Sequence, residues 1–250
     1  MKRIWPLVVL GVAAYSVFAL ATLPASFVTS RLAPFGINAA GVSGTAWNGR
    51  AQVLQAGAAN LGGATWKLHP LALLSARLHA DVQLTRRDGF AKTGVLLSPS
   101  GRTRFSQLTA SIPFSALPPT LFPGGWNGTL NLKLAELTVD HGWPVSAVGT
   151  IEAVDLIGPA RKPAKVGSYK VVLPAPNQTA AKDVLAGALT DMGGLLQITG
   201  TLQLKADRSY LIEGLVATRP ETPRDVADSL QFLGTPDAQG RRPFSLAGTF

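Results

Sequence analysis

From Ala33 onward, apolar and polar residues alternate with a period of two along much of the chain. In "TLNLKLAELTV" (129–139), Leu130, Leu132 and Leu134 fall on one face. The phase slips at Ala135-Glu136, and Leu137 and Val139 then resume the alternation. This pattern predicts a strand with one extra residue, a β-bulge. "QITGTLQLKA" alternates through Ile198, Leu202 and Leu204, with Gly200 in phase. "ADVQL", "SQLTASI", "SAVGTIEAV", "SYKVVL", "SYLIEGLVA" and "FSLAGTF" read as strands for the same reason. Turn signals separate them at Asp88-Gly89, Ser100-Gly101, Pro123-Gly124-Gly125, Gly158-Pro159 and Ala206-Asp207-Arg208. Such a series predicts a mainly β, mostly antiparallel domain.

Two segments carry helical spacing instead. In "NQTAAKDVLAGALTDMGG" (177–194), Val184, Leu185, Ala188, Leu189 and Met192 fall on one helix face, closed by Gly193-Gly194. In "TPRDVADSLQFLG" (222–234), Thr222 suits the N-cap, Pro223 the first helical position and Gly234 the C-cap. Val226, Leu230 and Leu233 form its apolar side. Both are expected to be short amphipathic covers on the sheet. "HPLALLSARL" (69–78) fits either a short turn of helix or an extended link.

The beginning of the chain follows neither period. Lys2 and Arg3 precede a stretch from Ile4 to Ser30 without a charged residue. A helix needs about 20 apolar residues to cross the hydrocarbon core. Ile4, Trp5, Leu7, Val8, Val9, Leu10, Val12, Tyr15, Val17, Phe18, Leu20 and Leu23 supply the apolar surface. The expected division is a cytoplasmic tip at 1–3, a single transmembrane anchor at 4–28 and an exported β-rich domain at 31–250. The two basic residues ahead of the span keep the N-terminus in the cytoplasm. The rival reading is a signal peptide cleaved after Ala19-Leu20-Ala21, but the apolar run is longer than a usual h-region.

A Gly-Thr pair recurs at Gly44-Thr45, Gly128-Thr129, Gly149-Thr150, Gly200-Thr201 and Gly248-Thr249. Its spacing is irregular, which excludes a solenoid of fixed period. Two copies lie beside Trp-Asn-Gly, in "GVSGTAWNGRA" (41–51) and "GGWNGTL" (124–130). Asn-Gly signals a tight turn. Trp47 and Trp126 are expected to pack over glycine-rich backbone at sheet corners. Gly44, Thr45, Trp47, Gly49, Trp66, Pro70, Trp126 and Gly128 are therefore candidate structural or interaction corners.

Composition narrows the chemistry. Charged residues make up 15% of the chain, against about 25% in average proteins. There is no cysteine, which excludes a disulfide, a thiolate nucleophile and a cysteine-bearing zinc site. The net charge is +9, but the basic residues are scattered and no nucleic-acid motif accompanies them, so no nucleic-acid partner is expected. His69, His79 and His141 lack the i, i+4 spacing of a helical metal pair, and each reads as a surface or turn histidine. No nucleophile elbow, phosphate loop or dinucleotide fingerprint occurs. Neither catalytic residues, a cofactor nor a metal is expected.

Three strings in order resemble the protein N family of the bacterial type II secretion system. "GVSGTAWNGRA" is similar to that family's Gly-Thr-x-Trp-x-Gly element. "WKLHPLALLSARLHADVQL" (66–84) is similar to its tryptophan-to-proline stretch, and "LQFLGTPDAQGRRPFSLAGTF" (230–250) to its ending. The resemblance implies an inner-membrane protein with a periplasmic domain. It implies a non-enzymatic accessory role in exporting folded proteins across the outer membrane. The implied partners are inner-membrane platform proteins, with the secretin as a further candidate. The Gly-Thr and Trp-x-x-x-Pro elements also resemble the wider AsmA-like group of envelope proteins, which implies a curved sheet and an alternative role in lipid binding or envelope maintenance.

Overall fold

The computed structural model describes residues 5–57, 59–117, 125–158, 165–176 and 184–249. Ile4, the 177–183 part of the expected helix and the turn residues Pro123, Gly124 and Pro159 lie outside them. The chain divides into two compact units, 1–87 and 88–250.

The first unit opens with helix α1 (Trp5–Ala21) and, after a break, α2 (Ala25–Leu32). The break falls at Thr22–Pro24, because proline cannot continue a helix and pushes the residue before it out of the helical region. The uninterrupted apolar helix expected over 4–28 is therefore two helices. Among the described residues, no helix is long and apolar enough to cross a membrane. The 17 residues of α1 rise about 26 Å, against a hydrocarbon thickness of about 30 Å. The candidate anchor residues from Trp5 to Leu20 all lie exposed on α1, whereas Leu23 sits half-buried in the break.

Five strands follow: β1 (Ile37–Ala40), β2 (Ser43–Gly44), β3 (Asn48–Ala56), β4 (Ala59–Leu68) and β5 (Leu78–Thr85). They pair antiparallel in the order β1-β3-β4-β5, with β2 beside β3. Residues 70–75 form a 3-10 turn between β4 and β5, which resolves that stretch in favour of a helical turn. Among the described residues, the buried apolar ones of this unit are all alanines: Ala25, Ala46, Ala51, Ala64 and Ala80. Small side chains let backbones approach closely, so the unit is held by contacts between main chains more than by large side chains.

The second unit holds β6 (Phe90–Leu97), β7 (Arg102–Pro113), β8 (Asn127–Asp140), β9 (Trp143–Ile157), β10 (Lys165–Leu173), β11 (Val184–Asp191), β12 (Leu196–Lys205), β13 (Ser209–Thr218), helix α3 (Arg224–Ser229) and β14 (Arg242–Thr249). Each strand pairs antiparallel with the next along the chain. Leu134, Ala147, Leu173 and Leu185 form its core, with Leu108, Ile151, Val171 and Leu204 packed around them.

The bulge expected in β8 is present. Leu134 pairs with Gly149 and Glu136 with Val148, which leaves Ala135 as the extra residue. Gly149 is required opposite it. Its φ is +141°, and a Cβ there would run into the carbonyl of Lys133.

The first expected amphipathic helix is a strand. Residues 184–191 form β11, hydrogen-bonded on both sides to β10 and β12. Leu185 and Gly187 are its buried positions, two apart, as a strand requires. Two open strand edges overrode a helical spacing that a central glycine already weakened. The second expected helix is present but shorter. α3 begins at Arg224 with Pro223 as its N-cap, and a 3-10 turn over Leu230–Phe232 follows. Thr222 does not cap it; its hydroxyl donates to the Leu195 carbonyl and accepts from the Arg219 N–H.

Candidate functional site

In the first unit, five of the candidate corner residues, Gly44, Thr45, Trp47, Gly49 and Trp66, converge where the connection after α1 meets the sheet. β2 and β3 are joined by a turn closed by the Thr45 N–H donating to the Asn48 carbonyl (3.0 Å). Asn48 and Gly49 therefore open a strand and do not form the turn, contrary to the usual role of Asn-Gly. Three links hold the turn to the connection. The indole Nε1–H of Trp47 donates to the carbonyl of Leu20 at 2.8 Å. The Ala46 N–H donates to Leu23 at 2.7 Å, and Pro24 bridges Thr45. The Leu20 carbonyl also accepts from the Leu23 N–H at 3.3 Å, so the indole supplies a second, shorter bond to a carbonyl at the helix end.

Trp66 supplies the packing expected of Trp47. It lies directly opposite Gly49 in the β3–β4 register, and its ring occupies the space a Cβ at Gly49 would need. Its Nε1–H donates to the Ala46 carbonyl at 3.1 Å. Tyr210 covers Gly248 in the same directly opposed way in the second unit. An aromatic ring over a cross-strand glycine recovers packing that the glycine lacks. Trp126 and Gly128 belong to the second unit. Trp126 lies against Gly158, and Gly128 takes φ +124° beside the carbonyls of Val154 and Asp155.

Beside Trp47 lies a group of polar side chains. Leu68 pairs with Ala80 in the β4–β5 register, which sets His69 opposite His79 one step on. The His69 N–H donates to the His79 carbonyl at 2.9 Å, and the Leu68 N–H to the Trp47 carbonyl at 2.7 Å. The two imidazoles stack with centroids 4.5 Å apart and planes 24° apart. Asp81 follows two residues after His79 and so shares its face of β5. Its Oδ2 lies 2.8 Å from His69 Nε2. That hydrogen bond is the main reason the Asp81 carboxyl titrates below its ordinary value. One ligating atom from each of His69, His79 and Asp81 fits within 4.8 Å of the others. Pro70 starts the 3-10 turn that returns the chain from His69 towards His79.

His69 and His79 stand ten positions apart, and only strand pairing joins them. The available signal was His-x-Asp on an alternating strand, with a second histidine just across a short return.

A buried polar node of the second unit is Asp191. It accepts from the Ile198 N–H (3.0 Å), the Gly193 N–H (3.3 Å) and Arg219. These contacts tie the ends of β11, β12 and β13 together and leave the carboxylate almost fully buried. That is structural work. His141 sits exposed in the β8–β9 turn.

Comparison with known proteins agrees with the order of motifs along the chain. The family described as type II secretion system (T2SS), protein N, matches residues 36–245. Type II secretion system protein N of Aeromonas hydrophila is 29% identical over 257 aligned positions, covering 99% of both chains. The proteins of the same name from Vibrio cholerae and Pectobacterium carotovorum are 26% and 25% identical, covering 90% and 96% of each chain. No solved structure matches. The match spans both units, from the start of the first strands to β14, and on that extent the chain belongs to the type II secretion system protein N family.

Proposed function

We propose that the chain is a non-enzymatic accessory component of type II secretion, held at the inner membrane by residues 4–28 with its β-rich part in the periplasm. It works by docking to other components of the apparatus, first those of the inner-membrane platform. The family match carries the assignment to secretion. What supports the anchor is the surface of α1. Trp5, Leu7, Leu10, Tyr15, Val17 and Phe18 are each more than 60% exposed, on every side of the helix. An apolar surface on all sides is what a lipid-facing helix carries. The basic residues Lys2 and Arg3 set its orientation. What supports docking is the outer strand β14, whose far edge offers backbone groups for pairing with an added strand.

The absence of native cysteine makes the test direct. Single cysteines placed at Ser98 and at Lys2 are challenged with a membrane-impermeant maleimide in intact spheroplasts. Labelling at Ser98 alone, in protein that resists alkaline extraction, is the expected result. Labelling at neither position, or loss to the soluble fraction, overturns the topology. The secretion role is tested separately by deleting the chain in a strain that uses this system. Undiminished export of folded substrates would refute it.

One observation favours a second reading, an apolar groove for lipid. Among the described residues, no large side chain is fully buried. One face of the β8–β12 hairpins carries half-exposed Leu130, Leu132, Ile151, Leu189 and Leu202. Stoichiometric phospholipid in the purified full-length protein would make this reading primary.

A further inference from the structure

We propose that His69, His79 and Asp81 form a binding site for a divalent transition-metal ion of the zinc class.

The argument starts from donor chemistry. Two imidazoles and one carboxylate are the set that borderline ions such as Zn²⁺ select. Three protein ligands with a water in the fourth position is a common tetrahedral arrangement. The softer thiolate set is absent from this chain altogether. Geometry comes next. An ion about 2.0–2.2 Å from each donor holds tetrahedral donors about 3.4 Å apart. Here the closest pair, His69 Nε2 and Asp81 Oδ2, stands at 2.8 Å, and all three donors fit within 4.8 Å. The pair must open by roughly half an ångström, and the stacked imidazoles, 4.5 Å apart and 24° from parallel, must turn about their side-chain bonds until both ring planes pass through the ion. Both motions are available to side chains that remain partly exposed, 38% for His69 and 55% for Asp81.

The backbone prepares the site. The His69 N–H bond to the His79 carbonyl closes the ten-residue return and fixes the two histidines as a cross-strand pair. His79 and Asp81 are held on one face by the period of β5. No loop has to order when the ion arrives. One group opposes binding. Lys67 pairs with Asp81 across β4 and β5, and its charge acts on the carboxylate. The wall of the site is apolar, with Trp47, Leu68, Leu73 and Leu78 around the two rings. That shields the imidazoles from water on one side. A bound ion would bridge the end of β4 to β5 beside the Trp47 bond to Leu20. This site depends on neither the membrane topology nor the secretion role proposed above.

The test uses the tag-free full-length chain in detergent, stripped with a chelator and titrated with Zn²⁺ by calorimetry. Co²⁺ serves as the spectroscopic probe. The expected result is one equivalent of Zn²⁺ per chain, a Co²⁺ visible spectrum of four-coordinate nitrogen–oxygen type and a raised melting temperature. Loss of an outer-layer partner alone lowers metal affinity 10- to 100-fold, so His69→Ala and His79→Ala each weaken binding by at least about tenfold. Lys67→Gln strengthens it. Asp81→Asn preserves the shape of the side chain and keeps the test decisive if a histidine variant fails to fold; it too must weaken binding. Failure of the wild-type chain to take up Zn²⁺ overturns the proposal. So does uptake that the folded variants leave unchanged.

Discussion

The two units of this chain reach stability by different means. In residues 1–87, every buried apolar side chain among the described residues is an alanine, and specific bonds fix the parts: two indole N–H groups on carbonyls, a ring over a glycine and a histidine–carboxylate pair. In residues 88–250, leucines from β8, β10 and β11 meet in one cluster with Ala147 of β9, and long hairpins carry the hydrogen bonding. Hydrophobic burial is non-directional and tolerates adjustment. Close backbone approach and single hydrogen bonds do not. The first unit should therefore be sensitive to geometry and the second to volume.

Leu134→Ala is the strongest challenge to that contrast. Leu134 is 4% exposed at the centre of the cluster, so its truncation should cost about 3 kcal/mol. Hydrogen exchange followed by mass spectrometry should localise the loss to 88–250. Gly49→Ala adds a single methyl group to the first unit. It displaces the Trp66 ring and should cost about 2 kcal/mol, read by denaturant unfolding. If the same methyl added at Gly63, where the nearest atom would stand at an ordinary 3.5 Å, costs as much, sensitivity to local geometry is the wrong explanation for Gly49.

Trp47→Phe keeps a ring and removes one donor. The Leu20 carbonyl keeps only its longer bond from the Leu23 N–H, and the loss should cost at most about 1 kcal/mol, with faster exchange in the 20–24 segment. The smallest effect is expected at Asp237, in the exposed turn before β14. The Arg241 N–H donating to its carboxylate holds this group below its ordinary pKa. A carboxyl depressed on folding adds stability above its unfolded pKa of about 3.9, and that contribution fades as pH falls through the lower folded value. Asp237→Asn should therefore match the wild type in strong acid and differ slightly above it, measured as melting temperature against pH.

The sequence was legible where one rule acted alone. Period two located the strands from β7 to β14 with one exception, and the slip at Ala135-Glu136 marked the place of the bulge. The exception, β11, shows the limit. Val184, Leu185, Ala188 and Leu189 satisfy a helix and a strand almost equally, and the choice belonged to the neighbours β10 and β12. At the corner, glycine and tryptophan were correct as residue types, but the partners were exchanged. Trp66, not Trp47, covers Gly49, because cross-strand register decides which ring faces which glycine. The His69–His79–Asp81 group was invisible for the same reason. Register is a pairwise property, and a period along one strand does not contain it.

Within residues 88–250, each strand pairs with its immediate successor in the chain, with no strand inserted from elsewhere. Such a sheet has no step that waits for a distant segment. Each hairpin can settle on the one before it as the chain emerges, in the order of synthesis, and loop-closure entropy is met in small instalments. The growing end is then always one unpaired strand. The moment of greatest exposure to misassembly moves along the chain and ends only when β14 is in place.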